Sequence, residues 1–305
     1  MVQEETLDRV RRAANQLGYR VNGMARALKT RRSMSIGMLV PDITNPFFPP
    51  VVRGAEGALA KAGFSLFLSS TDNDTDKARS QLDAMTEARV DGLLLGMVQR
   101  RDPAIDRLRA GAIPVVLFNR TVDDEGISSV VPDDALGLRL AVTHLFELGH
   151  RRVGLVVGPL FTSNGERRLR AFRRSARRLG LEFHVVEATA FDEAAGLRAT
   201  EQMIREFPGM TALVAGNDLL ALGAIDAGLN AGLRCPRDLS VVGFNDMPLA
   251  GRLSPPLTTV NVPELTLGRL AAEVLLSLIA NPQQQPERIV VPVTLVSRGS
   301  TAPPR

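Results

Sequence analysis

Ile36-Gly37-Met38-Leu39-Val40 and Val153-Gly154-Leu155-Val156-Val157 are two copies of one short apolar run with glycine in second place. Each is followed by a polar or proline-bearing loop, one amphipathic helical pattern and a glycine that ends it. The strand glycine and the helix-ending glycine are 26 residues apart in both copies, Gly37 to Gly63 and Gly154 to Gly180. Each copy then continues strand, helix, strand, reaching Gly96 and Gly216. A repeat on this scale points to two similar subdomains in tandem. Chance agreement of ordinary strand–helix spacings is the alternative.

Working outward, apolar runs of four or five residues alternate with longer helical patterns from Ile36 onward. That alternation predicts βαβ units and parallel sheets covered on both faces. The expected strands are Ile36–Val40, Ser65–Ser69, Gly92–Leu95, Pro114–Phe118, Val153–Val157, Glu182–Val186, Thr211–Val214 and Ser240–Phe244. They fit one open sheet, but the repeat favours two. A ligand would then sit between the units, where the carboxyl ends of parallel strands face a cleft. Gly63, Gly149 and Gly180 read as left-handed helix caps, and Asn217-Asp218 as a helix N-terminus.

Composition narrows the function. The 305 residues carry 45% hydrophobic and 23% charged side chains, enough for two cored units. The single cysteine, Cys235, rules out an intrachain disulfide and suits a reducing cytoplasm. The polar start MVQEETLDRVRR has no signal-peptide core, and Leu270–Ala280 is too short to span a bilayer, so no membrane role is expected. Dinucleotide, Walker and zinc-protease signatures are missing, and His144, His150 and His184 lie in no nucleophile context. No enzymatic activity, cofactor or metal is expected.

Charge is concentrated at the start. The first 33 residues hold eight basic side chains against three acidic ones, whereas the whole chain is only +4. A basic cap on a neutral body suggests a nucleic-acid contact. Around Leu28 the residues Arg26, Lys29 and Arg31 make one short basic turn, too short to be helical alone. It is either a flexible linker or a segment that folds on DNA with Leu28 as a minor-groove wedge. A second basic element is the helix expected over Gly165–Leu179, with seven arginines. Leu169, Phe172, Ala176 and Leu179 form its buried stripe and six arginines point away, most simply into solvent. Arg168 lies beside the stripe, where a guanidinium needs either an anionic ligand or a structural carboxylate.

Ile36-Gly37-Met38-Leu39-Val40-Pro41-Asp42-Ile43-Thr44-Asn45-Pro46-Phe47-Phe48, the run Val241–Ala250 (VVGFNDMPLA) and Pro255–Val260 (PPLTTV) resemble the lactose/galactose-repressor (LacI/GalR) family of bacterial transcription regulators. Glu147–Arg152 (ELGHRR), Asn217–Gly223 (NDLLALG) and Leu295–Ser300 (LVSRGS) add to the match, which runs from residue 2 to residue 301. The resemblance implies an α/β fold of two periplasmic-binding-protein-like subdomains, a homodimer, a DNA operator and a sugar or sugar-acid effector in the cleft. It implies residues 1–20 as the third helix of a DNA-binding headpiece and 21–33 as hinge helix and linker. Residues 34–132 with 262–288 would form one subdomain, and 133–261 with 289–305 the other.

Thr6, Tyr19, Asn22, Arg26 and Leu28 fall at DNA-contacting positions. Phe47, Phe48, Asn119, Asn164, Arg168, Phe191, Asn217 and Asn245 fall at effector-contacting ones. Family members carry a helix-turn-helix ahead of this point, so the present sequence is expected to start inside the headpiece, without the reading helix. The family commonly has Asp at the positions of Asn119 and Asn245. Two amides there leave Arg168 less neutralised and favour an effector with a carboxylate or phosphate. The expected function is a cytoplasmic effector-responsive repressor; a solute-binding protein of the same fold is the alternative.

Overall fold

A computed structural model describes residues 32–110, 113–123 and 126–305. The expectations for Thr6, Tyr19, Asn22, Arg26 and Leu28, and for the headpiece helix and most of the hinge, lie outside the described residues. From residue 35 the order is β1 (Ser35–Val40), α1 (Phe48–Lys61), β2 (Ser65–Ser70), α2 (Thr75–Glu87), β3 (Gly92–Leu95), α3 (Pro103–Ala110), β4 (Val115–Phe118) and β5 (Ser129–Pro132). Then come α4 (Asp134–Glu147), β6 (Arg152–Val157), α5 (Ser163–Arg178), β7 (Glu182–Glu187), α6 (Glu193–Glu206), β8 (Ala212–Ala215), α7 (Asp218–Asn230) and β9 (Ser240–Asn245). The chain closes with β10 (Thr258–Asn261), α8 (Glu264–Ala280), β11 (Arg288–Val291) and β12 (Thr294–Val296).

The strands build two six-stranded sheets, β11-β5-β4-β3-β1-β2 and β12-β10-β9-β8-β6-β7. Every pairing is parallel except β10 with β12. The central strands are buried on both faces, which explains their unbroken apolar sequences. The two strand orders correspond one to one, so the repeat legible in two glycine-bearing runs extends through both sheets. Gly37 and Gly154 have the same job: a Cβ at either would lie 2.4 Å from a methionine sulfur, Met85 in one unit and Met210 in the other. Gly63, Gly149 and Gly180 adopt φ of +81°, +101° and +65°, as their capping positions require.

Three crossings join the sheets. After β5 the chain passes to α4, which packs on α5, β10 and β12 of the second unit. After β10 it returns to α8, which packs on α1, β3, β4 and β5 of the first. The third crossing differs from expectation. Residues 289–291 were assigned to the second subdomain, yet Arg288–Val291 pairs with Ser129–Pro132 in the first sheet. The switch comes at Pro292-Val293 instead. This strand is an edge with mixed exposure, so its sequence lacks the apolar run that marked the inner strands.

Candidate functional site

Seven of the eight positions expected to contact an effector lie at the carboxyl ends of strands or at the starts of the helices that follow, and Phe191 lies in the loop between β7 and α6. Phe47 and Phe48 start α1, their rings edge to face with centroids 5.1 Å apart. Asn119 follows β4 and Asn245 ends β9, both with positive φ (+61° and +125°), a conformation that Asn tolerates better than most side chains. Asn164 and Arg168 occupy the first turns of α5, whose cap Thr162 accepts from the Gly165 amide at 3.3 Å. Asn217 caps α7, accepting from the Leu220 amide at 2.8 Å while donating to the Phe191 carbonyl at 3.2 Å.

All eight line a single cavity of about 60 Å³ between the sheets, together with Pro41, Asp42, Asn45, Asn73, Arg120, Ala190 and Asp192. That is several times the minimum space one water needs, room for a small polar molecule. At these eight positions the walls combine three phenylalanine rings with four amides, a pattern of apolar faces and convergent donors and acceptors.

Two arginines set the electrostatics, and they differ. Arg168 is 2% exposed, and its Nε donates to Asp134 Oδ1 at 2.8 Å. A further guanidinium nitrogen donates to the Gly216 carbonyl, and the group stacks on Phe244 at 3.7 Å. Burial pulls its pKa down, and Asp134 opposes that shift. The carboxylate left open in the sequence reading is therefore present, and Arg168 is neutralised despite Asn119 and Asn245. Asp134 also binds Arg167, through Oδ2 at 2.9 Å, so Arg167 does not join the solvated face expected of it. The signal for Asp134 was Asp133-Asp134 before an apolar helix. Asp133 caps α4 at Leu136 N, which frees the second carboxylate for another partner.

Arg120 is the residue that sequence reasoning missed. It is 4% exposed, and among the described residues its Nε has no hydrogen-bond partner and its terminal nitrogens reach only the Asn73 amide oxygen, at 3.3 and 3.4 Å. The Phe191 ring lies 5.7 Å from the guanidinium. Burial, then the charge of Arg168, pull its pKa down to about 10. Following Asn119 at a strand end was its only sequence signal.

The remaining candidates for chemistry are structural. His150 bonds Thr211 Oγ1 at 2.8 Å and the Ala302 carbonyl at 2.9 Å, and His144 bonds Thr301 Oγ1 at 2.9 Å. His184 sits 2.9 Å from Glu206, and burial pushes the Cys235 thiol up to about 12. Among the described residues no group of three His, Cys, Asp or Glu is placed to hold a metal ion, and no helix is long and apolar enough to cross a membrane.

Two six-stranded units around a polar cleft define a receptor for a small molecule. Residues 142–301 match the periplasmic binding protein-like domain. The ribose operon repressor of Escherichia coli K12 is 34% identical over 98% of this chain and 92% of its own length. A LacI family transcriptional regulator from Enterococcus faecalis V583 with bound ribose is 32% identical with a TM-score of 0.81, covering 89% of this chain and 100% of that one. The lac repressor dimer bound to operator and an anti-inducer is 26% identical with a TM-score of 0.84, over 93% and 99% of the two chains. The chain belongs to the LacI family of transcriptional regulators. The ribose operon and lac relatives are repressors rather than enzymes.

Proposed function

We propose that this protein is a repressor that binds an operator as a homodimer in the cytoplasm and releases or tightens its grip when a small acidic polyol enters the cleft. The carrying observation is Arg120, a buried guanidinium with an unbonded Nε, on the wall of the cavity. A charged group in that position is costly unless paired. A carboxylate or phosphate on the ligand supplies the partner that Asn119 and Asn245, both amides, do not. The phenylalanines would pack on the ligand's carbon skeleton and the amides would sort its hydroxyls. Arg168, already held by Asp134, then acts as a hydrogen-bond donor rather than as the anion receptor. Relatives that bind ribose or an operator support the regulator reading, and the exposed Phe67 and Leu68 on edge strand β2 (55% and 41%) suit burial against a second copy.

Titration calorimetry with an aldose and its aldonic acid tests the ligand class. The acid is expected to bind at least about tenfold tighter, and Arg120→Gln to abolish that preference while leaving the neutral sugar's affinity nearly unchanged. Tighter binding of the neutral sugar, indifferent to Arg120→Gln, would overturn it. Gel shifts with operator libraries, with and without the acid, test the regulatory half of the reading.

A further inference from the structure

The arginine face of α5 is more than a solvated surface. Arg167, Arg170, Arg174 and Arg178 follow one stripe along the helix. Beneath that stripe lie three hollows of about 330, 260 and 350 Å³. The first and second share Arg167, Arg170 and Arg288, and the second and third share Asp133, Ala135, Ala171 and Arg174, so they form one groove. The second and third are lined by six arginines against two aspartates. Both aspartates are engaged: Asp134 by Arg167 and Arg168, and Asp133 by the α4 amide it caps. Glu166 answers Arg170 at 2.7 Å. The side chains of Arg139, Arg174, Arg178 and Arg288 have no hydrogen-bond or ion-pair partner among the described residues.

The other side of the groove is a sheet edge. β11 ends the first sheet, with Val290 48% exposed. The carbonyls of Glu287 and Val291 accept from the amides of Ser129 in β5 and of Asp133 just beyond it, at 2.8 and 2.9 Å. By the alternation of a parallel ladder, the amides and carbonyls of Arg288 and Val290 face outward. Such an edge is a template for another strand, and here Arg288 and Val290 both line the groove.

We infer that this groove docks an extended acidic segment of a partner protein, which adds a strand to β11 and lays its carboxylates on Arg174, Arg178 and Arg139. A free edge favours a polypeptide over a nucleic acid, because only a peptide backbone satisfies its directional donors and acceptors. The charge excess sets the sign of the partner. β11 belongs to the first sheet and α5 packs on the second, so a docked segment spans both units and holds them as they stand.

The test uses the full chain and a fluorescein-labelled peptide of alternating Glu and Val, read by anisotropy. Its Gln-for-Glu analogue and an oligothymidylate of equal charge serve as controls. The acidic peptide is expected to bind and to weaken with salt, and the Gln analogue not to bind. The exposed pair R174E/R178E should weaken the peptide at least about tenfold. Val290→Pro, which removes an outward-facing amide, should weaken the peptide but not the oligonucleotide. Amide exchange should slow at Arg288 and Val290 in the complex. Equal binding of peptide and oligonucleotide with no effect of Val290→Pro identifies a general polyanion surface and overturns the proposal, as does a peptide that fails to bind at low salt.

Discussion

Glu264 begins α8 with one carboxylate oxygen buried and without a hydrogen-bond partner among the described residues. Burial and the charges of Asp218 and Asp246 push its pKa from 4.5 up to about 9. Burial also lifts Asp218, which accepts from Met247 N at 2.7 Å and from Thr259, to about 6. Above its ordinary pKa the unfolded chain has lost the Glu264 proton while the folded chain keeps it, so stability falls as pH rises toward 9. The loss is at most about 1.4 kcal/mol per pH unit. Glu264→Gln should flatten that slope and stabilise the protein above neutrality, as urea unfolding across pH will show; an unchanged slope removes Glu264 as its source. Asp134→Asn should act the other way, costing about 3–5 kcal/mol, because two guanidiniums lose their counter-charge and one of them is buried. At this scale the sequence showed which residues gather in the cleft, since a resemblance carries positions. It did not show which arginine is compensated, because Asp134 and Asn73 come from distant segments.

Helix pairs are brought together by glycines. A Cβ on Gly268 of α8 would stand 1.9 Å from the Val51 carbonyl of α1, and one on Gly54 would stand 2.1 Å from the Leu265 carbonyl. The second unit repeats the device: Gly223 of α7 would meet the Glu193 carbonyl of α6 at 2.1 Å, and Gly196 the Leu220 carbonyl at 2.6 Å. Backbone atoms cannot yield as a side chain can. Gly268→Ala and Gly223→Ala should therefore each cost about 1–3 kcal/mol by forcing the pair apart, read as a lower melting temperature. No loss would mean the helices slide freely. The inner strands were legible because burial on both faces writes an unbroken apolar run. β5, β10, β11 and β12 were not, being short, at or near a sheet edge, or placed where the chain changes units.

For the molecule as a whole, closure rests on few bonds. Thr121 N donates to Ser163 Oγ at 2.8 Å, Arg167 donates to Thr121 Oγ1 at 3.0 Å, and Arg100 N donates to the Phe161 carbonyl at 2.9 Å, each linking the first unit to the second. One such bond is worth about 1 kcal/mol. Ser163→Ala should therefore weaken cleft ligands about fivefold with little change in melting temperature; unaltered affinity would mean that closure does not contribute to binding. The two-unit plan was readable from a repeat of glycine spacing, whereas the path between units was not, since a crossing carries no periodic pattern. Asp134 gives the plan one further consequence, in its room to vary by descent. Both of its oxygens are committed, to neighbours in sequence that face different sides of α5. No single later change at Arg167 or Arg168 can make good its loss, because each could restore only its own half. Lineages that keep either arginine are therefore expected to keep an acid at 134, and those that abandon it to have replaced the pair together.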